Sequence, residues 1–391
     1  MLQAAKEFQI GRPQVLAGLM LLAFAAECLW VAGSRKFSDL EYQYLGSGLA
    51  SDTGQEFRAV SPFTSWVAAW PVRALRLVKA VAPASLGPAL AIPRPWVIRL
   101  PFVAFGLWLG AALWWVSRRL FDDAGGYVAL ALYCSSPAMV MISSNIGPEI
   151  ILAWSIFGLI YIGIGVAHTL YAPPRKWMPR IVILGLAIGF ALSTALWSFT
   201  LVLLAMSFMV YLAPGRRRSV VVVLLGAGVI ALTVFAYFTW WAGNGFAGVF
   251  QGLHPRATIE LVRSLGFVLS ENYSVPGLRG VNVGVLPILF IVALTVYGTW
   301  GRSRYFGNTA PLLTAFASVL LFALVPGPPV WSAAMGLSFA FVFIGGVAAD
   351  LLETAFQRSS GAILIAGFLL RVVLTIGTLN FWIHWSGSNH L

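Results

Sequence analysis

The chain is 391 residues long, 59% hydrophobic, 14% aromatic and only 10% charged, with a net charge of +12. Soluble domains carry about 25% charged residues, so a water-soluble enzyme, a disordered chain and a collagen-like fibre are all excluded. A bilayer-spanning helix needs roughly 20 apolar residues. The composition therefore predicts an all-α polytopic membrane protein, its positive charge marking loops and headgroups rather than nucleic acid.

Apolar stretches predict about eleven transmembrane helices, near 15–33, 98–117, 124–142, 148–168, 180–196, 198–213, 219–241, 283–300, 310–326, 331–351 and 361–384. The first follows Lys6 and Arg12 and ends at Ala32-Gly33-Ser34, which faintly fits a secretory leader. With so many spans behind it, it reads as an uncleaved first helix. The fifth and sixth form one apolar stretch, divided around Ser198. Basic residues crowd alternate short connections: Arg118-Arg119, Arg175-Lys176, Arg180, Arg216–Arg218, Arg302, Arg304 and Arg358. The connections 143–147 and 327–329 carry none. That bias puts the N-terminus in the cytoplasm and, after eleven spans, the C-terminus outside. The expectation is a single transmembrane domain over 1–391, a multi-pass protein of the cell inner (plasma) membrane.

Two outer loops are long, 34–97 and 242–282. The first contains a candidate interfacial helix around 64–82, with Arg73, Arg76 and Lys79 on one face. Such a helix either lies on the membrane surface, attracting lipid phosphates, or presents the solvated face of a packed loop helix. Pro83, Pro88, Pro93 and Pro95 break helicity before the second span.

Ionisable groups near hydrocarbon are the first places to look for chemistry. Asp39 and Glu41 open the first outer loop among Tyr42 and Tyr44. Two carboxylates just above the membrane suit a general base facing a lipid-borne substrate; the alternative is ordinary loop acids, or a helix N-cap at Asp39. Glu149 follows Gly147-Pro148 at the mouth of the fourth span. It is either an acid complementing a helix start or a substrate contact. Arg94, Arg99, Arg256, Arg263 and Arg279 lie in the outer loops, where an arginine grips phosphate bidentately or snorkels to the interface. Arg371 lies mid-span and needs a partner, with Glu27 or Asp350 in reach of the pattern. Cys28 and Cys134 read as small core residues. No nucleotide loop, metal-ligand spacing or ladder of intramembrane acids is present, so no cofactor and no metal are expected, and an ion-coupled transporter gains little support.

The run Arg99-Leu100-Pro101-Phe102, an apolar helix, then Arg118-Arg119-Leu120-Phe121-Asp122-Asp123 resembles the GT-C class of membrane glycosyltransferases. It is most similar to the protein mannosyltransferase and aminoarabinose transferase group. Ser136-Pro137, Ser143-Ser144 and Pro148-Glu149 continue the pattern, with Glu149 where the family has Asp. Asp39 falls where that family places its catalytic base, although Leu40 stands where a second acid usually follows. The resemblance covers roughly residues 10–170, and the soluble outer domain that many relatives carry is not expected after the last span.

The resemblance implies sugar transfer from a polyprenyl-phosphate donor to an acceptor on the outer face, with inversion at the anomeric carbon. Asp39 would be the base, Glu41 its assistant, and Arg99, Arg256 or Arg263 the phosphate grip. Glu149 would contact acceptor or sugar. The expected partners are the polyprenyl-phosphate donor and the bilayer, without nucleic acid. The alternative reading is a non-catalytic GT-C-like subunit that scaffolds a larger membrane complex through protein partners.

Overall fold

The computed structural model describes residues 12–50, 61–81, 94–241, 273–274, 282–283, 285–299, 306–324, 335–353, 371–380 and 383. Within them the chain is helical apart from a two-residue antiparallel ladder pairing Tyr273–Ser274 with Asn282–Val283.

Proline sets the helix starts. It occupies the first position of α3 (Pro62–Val81), α4 (Pro95–Cys134), α5 (Pro137–Ser144), α6 (Pro148–Thr169) and α7 (Pro174–Thr194). Its missing N–H would have no intrahelical partner there, and its φ is already helical. The remaining elements are α1 (Arg12–Ser34), α2 (Asp39–Ala50), α8 (Phe199–Leu212), α9 (Arg217–Trp241), α10 (Val285–Thr299), α11 (Phe306–Leu324) and α12 (Leu337–Glu353). Among the described residues five helices are long and apolar enough to cross a membrane, and the 40-residue α4 is one of them. The division expected near Ser198 is a 3-10 turn, Leu196–Ser198, between α7 and α8.

The 40-residue α4 is a hairpin rather than one rod. Phe121 (φ −137°, ψ 23°) and Asp122 (φ 58°, ψ −170°) leave helical geometry, and Tyr133 Oη donates to the Gly106 carbonyl at 2.7 Å. Both expected spans, 98–117 and 124–142, are therefore present, joined by a reversal far tighter than a loop. The second of them is broken. Ser135 ends α4, and α5 restarts at Pro137 under the Ser136 hydroxyl, which accepts the Met139 N–H.

That break explains a buried charge. Arg371, in the helical stretch 371–380, donates to Ser135 Oγ at 2.8 Å and to the Leu132 carbonyl at 3.4 Å. Thr375 Oγ1 donates to the Ser135 carbonyl. A guanidinium at the C-terminal end of α4 meets carbonyls that have lost their intrahelical partners. Glu27, a partner expected from sequence, has no hydrogen bond at Oε2 among the described residues.

The ends of the bundle follow from a few bonds. The Ile146 N–H, just before α6, reaches Glu41 in α2. Ser61, just before α3, donates to the carbonyl of Thr194 at the end of α7. The start of α6 and the end of α7 thus share one end of the molecule with α2 and α3. The turns 170–173 and 213–216, between α6 and α7 and between α8 and α9, lie at the other. Phe63 stacks on Phe190 at 4.6 Å and packs on Phe238 at 4.9 Å, seating α3 across α7 and α9. The helix expected around 64–82 is α3; Arg73 donates to the Gly48 carbonyl and lies over the Trp241 ring.

Candidate functional site

The site grows from a capping box. Ser38 precedes α2 and its hydroxyl accepts the Glu41 N–H at 3.3 Å, while Glu41 Oε2 accepts the Ser38 N–H at 2.8 Å. This reciprocal Ser-x-x-Glu arrangement satisfies two amides that a helix start otherwise leaves without partners. The N-cap is therefore Ser38, and Asp39 is the first helical residue.

Glu41 does more than cap. Arg99, fully buried at the start of α4, donates from Nε to Glu41 Oε1 and from Nη2 to Oε2, both at 2.8 Å. Its Nη1 donates to the carbonyls of Ala32 and Arg35, and its Nη2 also to that of Lys36. The Phe37 ring lies 4.9 Å from the guanidinium carbon. Glu41 Oε1 also accepts the Ile146 N–H at 3.0 Å. One ion pair thus ties together the end of α1, the start of α2, the start of α4 and the α5–α6 connection.

This geometry bears on two expectations. Arginine has five N–H donors, and all of them are engaged within the protein, so Arg99 has none left for a donor phosphate. Glu41 has both oxygens occupied by a cation and two amides, which leaves it no basic lone pair to lend to Asp39. Both residues hold the loop.

Asp39 is the opposite case. It is exposed on the first turn of α2, and its carboxylate makes no hydrogen bond or ion pair among the described residues. The expected Asp39–Glu41 pair is thus split, one carboxylate buried in a lock and the other open.

Two further residues, Arg35 and Tyr44, flank this junction. Arg35 is half-buried between α1 and α2, and its Nη1 donates to Asn145 Oδ1 at 3.3 Å and approaches Met141 Sδ at 3.9 Å. Burial lowers its pKa, with Glu41 opposing that shift and Arg99 adding to it. Its Nε and Nη2 make no hydrogen bond among the described residues. Tyr44 lies on α2, and burial, followed by the negative charge of Glu149, pushes its phenol up. No pattern of residue types would have separated Arg35 from the other loop cations; its four-residue spacing to Asp39 was the available signal.

Glu149 is buried in the first turn of α6. Its carboxylate folds back over Gly147, where a Cβ would overlap Oε2. The carboxylate thus sits at the start of α6, and its charge is felt by Tyr44 of α2. Ser143 and Ser144 lie in α5, Ser144 donating to the carbonyls of Cys28 and Val140. Arg256 and Arg263 lie outside the described residues, as do 82–93 of the first loop. Among the described residues no cluster of three His, Cys, Asp or Glu side chains could hold a metal ion.

Comparison with known proteins places this arrangement. The family model for dolichyl-phosphate-mannose-protein mannosyltransferase matches residues 84–241. ArnT from Cupriavidus metallidurans superimposes in the apo state with a TM-score of 0.63, and in its complex with undecaprenyl phosphate with 0.62. Both alignments are 13% identical and cover 91% and 90% of this chain, and 63% and 62% of that one. The chain has the GT-C glycosyltransferase fold. The Archaeoglobus fulgidus oligosaccharyltransferase tethered with an acceptor peptide shares this fold at a TM-score of 0.51 and 13% identity, over 94% of this chain and 55% of that one. The chain spans less than two thirds of the length of these GT-C structures. No curated protein sequence matches it.

Proposed function

We propose that the protein is a multi-pass glycosyltransferase of the inner membrane that moves a sugar from a polyprenyl-phosphate donor to an acceptor at the Asp39 end of the bundle. The observation that carries the reading is the open carboxylate of Asp39 on a loop whose neighbours are locked by Glu41 and Arg99. ArnT, solved with undecaprenyl phosphate and sharing the fold, supports the donor class.

In this reading Asp39 takes the proton from the acceptor hydroxyl as that oxygen attacks the anomeric carbon. The bond from that carbon to the phosphate oxygen breaks, and the polyprenyl phosphate leaves with the electron pair. Attack from the face opposite the leaving group inverts the anomeric centre. Arg35, with uncommitted donors four residues before Asp39, stabilises charge developing on the phosphate. Arg256 and Arg263 of the second long loop are the further cations proposed for that phosphate. Glu149 and Tyr44 offer a carboxylate and a hydroxyl to the sugar or acceptor. Arg99 and Glu41 are positioning residues.

The test is Asp39→Asn in purified protein supplied with polyprenyl-phosphate sugars and candidate acceptors. Positioned general bases contribute about 10²–10⁴-fold, so transfer should fall by that factor while the melting temperature stays put. Undiminished transfer by the folded variant removes Asp39 from the mechanism.

A further inference from the structure

The opposite end of the bundle carries a charge pattern that the transfer reaction does not use. Helix α7 begins with Pro174, Arg175 and Lys176, and α9 begins with Arg217 and Arg218 after Arg216. Neither helix has an acidic residue in its first turn. Helix N-termini concentrate partial positive charge, which favours acids and disfavours cations. Here two N-termini each carry cations in the first turn, an arrangement with nothing inside the helix to offset it.

The two starts are neighbours. Helices α7 and α9 pack along their lengths, a Cβ on Gly189 falling 2.7 Å from Val234 Cβ. The Arg216 guanidinium lies 5.9 Å from the Tyr171 ring, so the 213–216 turn touches the 170–173 turn. Arg180, one turn further along α7, donates to the Gly165 carbonyl and Thr169 Oγ1 at the end of α6. All six cations are exposed, and none is paired with a carboxylate among the described residues. Nor can the surrounding sequence supply one, because between Glu149 and Glu260 the chain has no Asp or Glu. At this end the acids of the α4 reversal are Asp122 and Asp123, and Asp123 is held by Arg118. Among the described residues these cations therefore have no carboxylate counter-charge.

We infer that the paired turns 170–176 and 213–218 bind the phosphate of an anionic phospholipid headgroup. The lipid source follows from what flanks the cations. Met178, Tyr211 and Val221 lie exposed within a turn or so of them, so acyl chains can run down the apolar helix faces while the phosphate stays at the helix starts. Backbone N–H groups at a helix start and clustered arginines are both phosphate ligands. Basic pockets between membrane helices take anionic lipid headgroups by the same chemistry.

The test exchanges the full-length protein into neutral detergent with equimolar phosphatidylglycerol and phosphatidylcholine, then counts retained lipid by mass spectrometry. Wild-type protein should retain phosphatidylglycerol preferentially. The triple variant Arg216→Gln, Arg217→Gln, Arg218→Gln should lose that preference by about a hundredfold, each cation near an anionic surface contributing a factor of about five. The corresponding triple lysine variant should keep most of it. If the glutamine variant fails to fold, the wild type still decides, because the preference must fall as salt rises. Equal retention of the two lipids by wild type overturns the proposal, as does undiminished preference in a folded glutamine variant. Displacement of the lipid by inorganic phosphate would assign the site to a free anion, and an acidic protein retained in the lipid's place would assign it to a protein surface; either result overturns the lipid assignment.

Discussion

The two ends of this bundle treat charge in opposite ways. At the Asp39 end a cation and an anion meet in a buried bidentate pair whose hydrogen bonds tie four stretches of chain together. At the other end six cations stand exposed without a carboxylate partner among the described residues. A buried charge must be matched within the fold, and here Arg99 and Glu41 match each other. Exposed like charges at helix starts are not matched, so they remain available to a ligand. The family resemblance implies other roles for this pair, Arg99 as a phosphate grip and Glu41 as the assistant of Asp39.

This contrast can be broken by substitution. The largest effect on stability falls at the buried pair. Arg99→Leu strands Glu41 and three carbonyls, and removing one partner of a buried pair costs about 3–5 kcal/mol. Thermal unfolding in detergent should show that loss, with transfer activity falling as the loop loosens. A second change, Glu41→Leu, should not rescue it, because the carbonyls of Ala32, Arg35 and Lys36 and the amides of Ser38 and Ile146 stay without partners. Recovery in the double variant would mean that the pair is a simple charge match and not a junction.

Ser38→Ala removes one half of the capping box and leaves the ion pair. Loss of such a cap costs about 1 kcal/mol, so the same unfolding measurement should register a smaller but resolved shift. Smallest of all is Arg217→Gln, an exposed residue at the opposite end. Without anionic lipid its effect should stay within about 0.5 kcal/mol, and a larger one would show that the cation has a structural partner.

Much of the architecture was readable in the residues. Prolines at 62, 95, 137, 148 and 174 begin helices because their missing N–H costs nothing at the first position, although Pro71, Pro101, Pro179 and Pro311 are carried inside helices. The Ser198 division was likewise visible, as polar residues within an apolar run. The break at Ser135 escapes hydropathy, which measures solvent preference and is blind to a hinge inside one span, although Ser136-Pro137 marks it. The capping box was legible in Ser38-Asp39-Leu40-Glu41, yet the acids drew attention to chemistry before capping. The bond between Glu41 and Arg99 joins residues 58 apart in sequence, and nothing local announces it. Arg35 went unnoticed for the same reason: only the folded loop separates a cation with spare donors from one with none.

The central claim is that Asp39 and Arg35 together face the donor phosphate while Arg99 does not. A cryo-electron microscopy map of the protein with undecaprenyl phosphate tests it most directly. The account predicts phosphate density beside Asp39 and within hydrogen-bonding distance of Arg35, with the Glu41–Arg99 pair unchanged. Phosphate density on Arg99 with that pair broken, or headgroup density remote from α2, would contradict it.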